Sequence, residues 1–442
     1  MASSAAHMTP QERTSSFSLA SIFALRMFGL FIILPVFAVY ARELPGGDSE
    51  TLVGITLGIY GLTQGLLQIP FGVASDRLGR KPVIIFGLII FALGSFLAAS
   101  GANIWIVMLG RMLQGAGAIS AAVTAFIADS VRVQVLTKAM AMVGASIGLT
   151  FALSLLISPP LTKLWGVSGL FTLTGISALI AVLVVKFVVP PAPQSAIDEK
   201  NEHRSWRKVV CDPQLVRLNI GIFVLHAVLT AIFVVIPTRL VYMRLPSEHH
   251  WWVYLPAVIA GFALMAPPLI FGEKKQAVVR VMRFMIGFLT VAFVLFAYLI
   301  HSIWEIAFLL GIFFIGFNVL EATLPNLVSR IAPAADRGLA LGVYNTTQNI
   351  GLFVGGALGG AFCGQLCGFG GFGSVQLGRL RGMSGSCHGF VGLGANRCHR
   401  IPHAALFGRI LAGLRGGQLQ LQALFVQLLV GVQGGGAQQL GH

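Results

Sequence analysis

The chain is built around a series of apolar stretches, each about 20 residues long, that short polar segments separate. An α-helix of about 20 apolar residues crosses the hydrocarbon core of a bilayer, and within lipid a helix satisfies all of its own backbone hydrogen bonds. The sequence therefore predicts an all-α integral membrane protein with eleven spans, at 17–40, 52–73, 82–100, 104–127, 138–160, 168–189, 216–241, 252–271, 281–300, 304–326 and 338–361.

Composition agrees with a lipid environment. Of the 442 residues, 56% are hydrophobic and 10% are charged, whereas soluble domains have about a quarter charged residues. Residues 1–16 are polar, and the apolar run that follows is too long for the core of a signal peptide, so we expect a cytoplasmic N-terminal segment and no cleaved leader. Thr9, Pro10 and Glu12 predict that a helix starts there.

One long polar linker, 190–215, divides the spans into two groups. The division predicts an N-terminal six-helix bundle at 17–189 and a C-terminal bundle, with spans 7 to 11, at 216–361. Lys and Arg residues favour the loops of one side, which predicts that this side, the N-terminus and the linker are cytoplasmic. The net charge of +15 does not indicate nucleic-acid binding, because the basic residues lie in short loops between spans.

The tail, 362–442, differs from the rest of the chain. It is rich in Gly, Gln, Leu and Arg, and it has no Asp, Glu or Lys. We interpret it as a frameshifted, poorly ordered segment in place of a twelfth span. The alternative, a twelfth helix at 404–433, is disfavoured by Arg409 and Arg415, because an arginine at the centre of a span is costly in lipid.

The tail also holds several potential metal ligands, but their spacing matches no structural zinc pattern. They are Cys363, Cys367, Cys387, His388, Cys398 and His399. We predict no metal site and no cofactor. The spans show no nucleophile–base pair or phosphate-binding loop, so we also predict that the protein is not an enzyme.

Between spans 2 and 3 lies a compact charged segment, Gly72-Val-Ala-Ser-Asp-Arg-Leu-Gly-Arg-Lys81. It resembles the signature that the major facilitator superfamily of secondary transporters carries at this position, and the resemblance extends over about 8–361. It implies two pseudo-symmetric six-helix bundles around a central cavity. An ordinary cytoplasmic loop would explain Arg77, Arg80 and Lys81, but not the glycines or Asp76.

The resemblance implies a conformational latch that holds the outward-facing state. Asp76 would face the positive N-terminal end of span 11, near Gly338 and Gly342. Arg80 would pair with Asp129 at the end of span 4. The whole predicted latch comprises Gly72, Asp76, Arg77, Gly79, Arg80, Lys81, Asp129, Gly338 and Gly342.

Span 4 contains Arg111-Met-Leu-Gln114-Gly115, which resembles a motif of proton-driven members of the superfamily and implies a part in proton coupling. The alternative is an arginine whose side chain reaches the membrane surface. Other segments, such as Leu25-Arg-Met-Phe-Gly, are similar to the drug:H+ antiporter branch. In span 5, Gly144, Gly148 and Pro159 predict close helix packing.

Isolated polar residues lie in the middle of several spans that, by the resemblance, line the cavity. They are Arg26, Gln64, Gln68, His226, Asn318, Glu321, Asn345, Gln348 and Asn349. Glu321 is the first candidate for carrying a proton, because burial of a carboxyl group disfavours its charged form. His226 is the second. Each of these residues has an alternative role in hydrogen bonds between helices.

These observations predict a secondary active transporter that couples proton entry to efflux of a small amphipathic compound. Its partners would be that compound, protons and the lipid bilayer, and we expect a monomer in a bacterial cytoplasmic membrane. Two alternatives remain: a membrane sensor or scaffold with the same fold, and an inactive frameshifted product.

Overall fold

In the computed structural model, the structure describes residues 8–190, 209–275, 277–298, 302–332 and 337–382. Within these ranges every regular element is a helix, as the sequence predicts. One 3₁₀ turn, Ser247–His249, accompanies the α-helices, which are α1 (Pro10–Phe31), α2 (Leu34–Glu43), α3 (Glu50–Leu78), α4 (Arg80–Ala99), α5 (Ile104–Ala116), α6 (Ser120–Ser130), α7 (Val133–Phe187), α8 (Pro213–Tyr242), α9 (Trp251–Lys274), α10 (Val278–Tyr298), α11 (Ile303–Ile331) and α12 (Arg337–Gly382).

Eight stretches of the described chain are long and apolar enough to cross a membrane: Pro10–Glu43, Glu50–Leu78, Arg80–Ala99, Ile104–Ser130, Lys138–Phe187, Pro213–Tyr242, Ser247–Gly272 and Ile303–Ile331. Nine of the predicted spans fall in these eight, because Lys138–Phe187 contains two of them. The other two predicted spans coincide with α10 and α12.

The predicted start of the first helix is confirmed. Thr9 is its N-cap: the Thr9 hydroxyl accepts a hydrogen bond from the Glu12 amide at 3.2 Å, and the Glu12 carboxylate accepts one from the Thr9 amide at 2.8 Å. Pro10 occupies the first turn, where its missing N–H has no cost. A second capping box, of Ser302 and Glu305, begins α11.

The structure differs from the predicted spans at four places. Spans 1 and 4 are each broken into two helices, with Pro35 following the first break and Gly117 ending α5 at the second. Spans 5 and 6 meet at a kink on Gly166, whose φ of 66° favours glycine, where the sequence predicted a loop at 161–167. Helix α12 continues to Gly382, past the predicted end at 361. Most of the linker, and the tail after 382, lie outside the described residues.

Helix α12 packs between α3 and α8 through glycines on two of its faces. Added Cβ atoms on Gly54 and Gly356 would each overlap the carbonyl group of the other residue, so the two backbones are in direct contact. On the other face, Cβ atoms on Gly351 and Gly355 would overlap the backbone of α8. Such close approach is how helices associate in lipid, where apolar burial gives little net gain.

The two ends of the bundle differ. The end that carries the α3–α4 loop with Arg77, Arg80 and Lys81 is called the basic end here. At the opposite end α3 and α12 are in contact, and Lys163 forms an ion pair with Glu248 at 3.0 Å between the two groups of spans. Toward the basic end, an added Cβ on Gly342 would meet nothing within 4 Å. The α3–α12 contact is therefore tight at the opposite end and loose toward the basic end.

The α3–α12 contact can be tested with matched alanine substitutions. Gly54→Ala places a methyl group against the Gly356 carbonyl and should destabilise the protein by about 1–3 kcal/mol. Gly144→Ala places one in open space and should be neutral or slightly stabilising, because alanine favours helix. Thermal unfolding of both variants in detergent measures the difference, and equal midpoints would contradict the packing described.

Candidate functional site

Three polar side chains meet in the interior of the C-terminal group of spans. The Gln348 amide nitrogen on α12 lies 2.7 Å from His226 Nε2 on α8 and donates to Glu321 Oε1 on α11 at 3.2 Å. His226 Nδ1 lies 3.3 Å from the Ile222 carbonyl, so Nδ1 is the protonated nitrogen that donates, and Nε2 accepts from Gln348. The tertiary structure thus brings together three residues that the sequence proposed separately.

Glu321 is incompletely hydrogen bonded. Its second oxygen, Oε2, lies 3.8 Å from His226 Nε2 and is buried without a hydrogen-bond partner in the structure. The neighbouring Tyr344 hydroxyl, which the sequence analysis did not single out, is also buried without a partner. An oxygen with no donor is a place where a proton can bind, so this triad can take up or release a proton without breaking an existing contact of Oε2.

The other polar residues of this half lie elsewhere. The Asn318 amide nitrogen would be 3.1 Å from a Cβ on Gly261, so Asn318 lies against α9. Asn349 donates to the Asn345 carbonyl at 2.7 Å and lies beside Gly65 of α3. Asn318 and Asn349 therefore lie at contacts between helices, but the hydrogen bond of Asn349 is within α12, so the alternative of hydrogen bonds between helices stays a prediction for both.

In the N-terminal half, Arg111 belongs to a buried hydrogen-bond network. It donates to Gln114 Oε1 at 3.0 Å and to the Leu57 carbonyl at 3.2 Å, and Gln114 donates to Ser95 at 2.8 Å. Arg111 is 1% exposed, so its side chain does not reach the membrane surface, the alternative that the sequence left open. An added Cβ on Gly115 would overlap the Tyr60 carbonyl, which explains the glycine beside this network.

A second buried arginine lies nearby. Arg26 donates through Nη1 to the Ser120 hydroxyl at 2.9 Å, and the Gln64 amide reaches the same hydroxyl at 3.5 Å. The Tyr60 ring lies 5.9 Å from the Arg26 guanidinium and 4.9 Å from that of Arg111. The sequence analysis missed Tyr60 and Ser120, because a tyrosine and a serine within a span carry no distinctive signal. Gln68 is buried, and both of its amide atoms lack a partner.

At the basic end, Arg80 connects three parts of the chain. Its Nε donates to Asp129 at 2.8 Å, which is the predicted pair, and its Nη1 contacts both Ser75, at 2.8 Å, and Asp76. Gly79 adopts a φ of 94°, so the tight turn between α3 and α4 requires a glycine. Lys81 donates to the Val189 carbonyl, while Arg77 is exposed.

Among the side chains that the structure describes, Asp76 contacts Arg80 and none on span 11. The Asp76 side chain is 62% exposed and contacts Arg80 within its own segment. A Cβ on Gly342 would meet no atom within 4 Å, and Gly338 lies in the first turn of α12. The reason is geometric: α3 and α12 touch toward the opposite end and are apart near Gly72, whose added Cβ would meet only Ala121 at 3.5 Å.

A further ion pair ties α1 to the α6–α7 junction. Glu12 accepts from Arg132 Nε at 2.8 Å and from its Nη2 at 3.0 Å, in addition to capping α1. The hydrogen-bonded Glu12 carboxylate raises the pKa of the Arg132 guanidinium above its usual range. The sequence predicted only the cap, because Arg132 is remote from Glu12 along the chain.

The predicted packing residues of span 5 differ in what they contact. Gly148 lies against Phe262 of α9, and Pro159 is buried inside α7. Among the described residues, an added Cβ on Gly144 would meet nothing within 4 Å, so its packing role stays a prediction. Across the described residues, no group of three or more His, Cys, Asp or Glu side chains could hold a metal ion. The side chains of Cys363 and Cys367 are outside the described part of the chain, as are Cys387, His388, Cys398 and His399.

Membrane-length helices with charged side chains buried among them are typical of membrane transport proteins. Residues 19–356 match the Major Facilitator Superfamily, and the chain belongs to that family. It is 41% identical to the inner membrane transport protein YajR of Escherichia coli K12 over 353 residues, covering 79% of this chain and 78% of YajR.

More distant relatives and solved structures agree with this assignment. The chain is 24% identical over 342 residues to the quinolone resistance protein NorA of Staphylococcus aureus, covering 75% of this chain and 85% of NorA. A bacterial homologue of the human lysosomal transporter Spinster, solved in an inward-facing conformation, matches with a TM-score of 0.70 at 15% identity, over 96% of this chain and 97% of that one. The major facilitator fold is thereby confirmed.

Substitutions in the basic loop test the Arg80 contacts. Arg80→Gln removes the charge that pairs with Asp129 and should lower the free energy of unfolding by about 1.5–3 kcal/mol, the range for hydrogen bonds to charged groups. Arg77→Gln removes the same charge from an exposed position and should change it by less than about 0.5 kcal/mol. Chemical or thermal unfolding of both purified variants measures the free energy of unfolding. Similar losses in the two variants would show that the charge of the loop, and not the contact with Asp129, is responsible.

Proposed function

We propose that this protein is a proton-coupled exporter of a small amphipathic compound that works by alternating access. The observation that carries the proposal is the triad of His226, Gln348 and Glu321, one residue on each of three helices in the membrane-spanning interior. An ionisable group inside a membrane bundle is costly, so its presence is a reason to look for a role in transport.

The chemistry of proton coupling follows from the contacts. Ionised Glu321 accepts one hydrogen bond, from Gln348, and has a second oxygen without a donor. Protonation at that oxygen removes a buried charge and provides a donor for a neighbouring acceptor. A proton drives transport only if it binds the two conformations with different affinity. Because the triad joins α8, α11 and α12, a change in its hydrogen bonds can bias how these helices pack.

The difference between the two ends supports alternating access. The ion pair of Lys163 and Glu248 and the glycine contacts of α3 with α12 join the two groups of spans at the opposite end. In the other conformation, the basic end would close around Asp76 and the N-terminus of α12 while these contacts separate. The residues of the predicted latch would then have their role in the state that this structure does not represent.

The direction of transport and the membrane are also part of the proposal. The relative NorA is named for resistance to quinolones, which agrees with export, and YajR is named as an inner membrane protein. We place the basic end in the cytoplasm, with the N-terminus, because basic loops favour that side. A single chain contains both groups of spans, so we propose a monomer.

Proton coupling is tested in proteoliposomes that contain a pH-sensitive dye. Addition of a transported compound, chosen from a panel of amphipathic compounds that includes a quinolone, should move protons through the wild-type protein. Glu321→Gln keeps the hydrogen bond to Gln348 possible but cannot ionise, so proton movement should fall at least tenfold while exchange of compound across the membrane persists. Glu43→Gln, at an exposed position, is the control. Unchanged proton movement in Glu321→Gln would remove Glu321 as the carrier.

The latch is tested separately with Asp76→Asn. This change removes the charge proposed to interact with the N-terminus of α12, and it should reduce the transport rate several-fold without reducing the amount of protein in the membrane. Accessibility of a cysteine introduced near Gly342, measured with a membrane-impermeant reagent, should rise at the basic end because the closed state is less populated. Wild-type transport together with wild-type accessibility would contradict the latch. A sensor or scaffold of the same fold would move no compound in either experiment.

A further inference from the structure

Arg26 has an unused edge inside the membrane bundle. The residue is 1% exposed, and only its Nη1 has a hydrogen-bond partner, the Ser120 hydroxyl at 2.9 Å. Its Nε and Nη2 are buried and have none. These two nitrogens form the edge of the guanidinium group on which two N–H bonds point in the same direction, and this edge binds a carboxylate through two parallel hydrogen bonds.

The same chain shows what this edge binds when a partner is available. Arg132 directs its Nε and Nη2 to the two oxygens of Glu12, at 2.8 Å and 3.0 Å. The Arg132 side chain is 53% exposed, whereas Arg26 is buried. A buried charge needs a partner of opposite charge more than an exposed one does. Arg26 is the buried arginine of the two, and it lacks such a partner.

The surroundings of Arg26 are positive. Among the residues that the structure describes, neither Arg26 nor Arg111 has a carboxylate within ion-pair distance. Both guanidinium groups lie within 6 Å of the centre of the Tyr60 ring. Ring faces, those of Tyr60 and Phe91, attract the Arg26 cation but provide no acceptor for its free edge. Two buried cations beside one ring favour a negative charge between or next to them.

We propose that the Nε/Nη2 edge of Arg26 is a binding site for a small monovalent anion of the carboxylate type. The site lies where α1, α3 and α6 meet, since Arg26, Gln64 and Ser120 share one hydroxyl contact. It is separate from the triad of Glu321, which lies in the other half of the protein. Binding at Arg26 does not depend on transport, although one source of the anion rests on the proposed transport function.

Two sources supply this chemistry. The anion is either the carboxylate of a transported amphipathic acid or a small anion from solution that stays bound as a counter-ion to Arg26. Acetate and chloride represent the second source, and benzoate represents the first, because it adds an apolar body to the same carboxylate.

The experiment measures thermal unfolding of the full-length protein in detergent, in sodium HEPES buffer at constant ionic strength, while acetate, benzoate or chloride replaces part of the HEPES anion. We expect saturating acetate or benzoate to raise the wild-type midpoint by about 2–4 °C. Arg26→Lys keeps the charge but loses the two-nitrogen edge, and its midpoint should not respond. Arg42→Lys, a change to a residue paired with Glu50 at the opposite end, should respond like the wild type.

A second variant covers the case in which Arg26→Lys fails to fold. Arg26→Met replaces the buried cation with an apolar chain of similar length, and in buffer without acetate it should be at least as stable as the wild type, because an unpaired buried charge is lost. It too should not respond to the anions. An equal midpoint shift in the wild type and the Arg26 variants, or no shift of the wild type with acetate or benzoate, would overturn the site.

The same titrations distinguish the two sources. Half-saturation by benzoate at a concentration at least tenfold below that of acetate indicates the carboxylate of an amphipathic substrate, and equal half-saturation, or a response to chloride, indicates a resident counter-ion. In proteoliposomes, a benzoate-selective site predicts uptake of radiolabelled benzoate that Arg26→Lys abolishes. Benzoate binding without uptake would leave the Arg26 site in place and count against the transport function alone.

Discussion

The close contact of α12 with α3 and α8 is the interaction on which the rest of the structure depends. Lipid surrounds the helices, so burying apolar side chains gives little preference for one neighbour over another. Backbone contact at glycines gives that preference, because it requires complementary positions on two helices. Gly54 faces Gly356, while Gly355 faces the backbone of α8. Helix α12 also carries Gln348, so the same contacts that join the two groups of spans hold the triad in place.

The polar interior is arranged differently in the two halves. In the C-terminal half the carboxylate of Glu321 contacts an amide and an imidazole. In the N-terminal half two arginines are buried with hydroxyl, amide and carbonyl partners and with aromatic rings. Protons and anions therefore have separate candidate sites, on either side of the contact between the halves. Under the function proposed above, this arrangement would let the protein respond to the charge of its compound in one half and to protonation in the other.

Individual residues show which contacts could be predicted from the sequence and which could not. The Thr9 cap and the pairing of Arg80 with Asp129 could be predicted, because a cap is local and the pair follows a recurring pattern. The second role of Glu12, toward Arg132, could not be predicted, because the two residues are 120 positions apart. Gly144 and Gly148 belong to one spacing signal, yet among the described residues only the added Cβ on Gly148 would meet a side chain of another helix. Which face of a helix meets a partner depends on the packing of the whole bundle.

The sequence by itself determined that this chain is a bundle of membrane helices of the major facilitator type, because lipid admits few backbone conformations and long apolar runs reveal them. It also showed which polar residues lie within the apolar spans. Only the tertiary structure decided which of them meet. His226, Gln348 and Glu321 come from three helices, and Arg26 was left with a free edge because no carboxylate of the described chain packs beside it. Such contacts depend on helix rotation and crossing, which hydropathy does not encode.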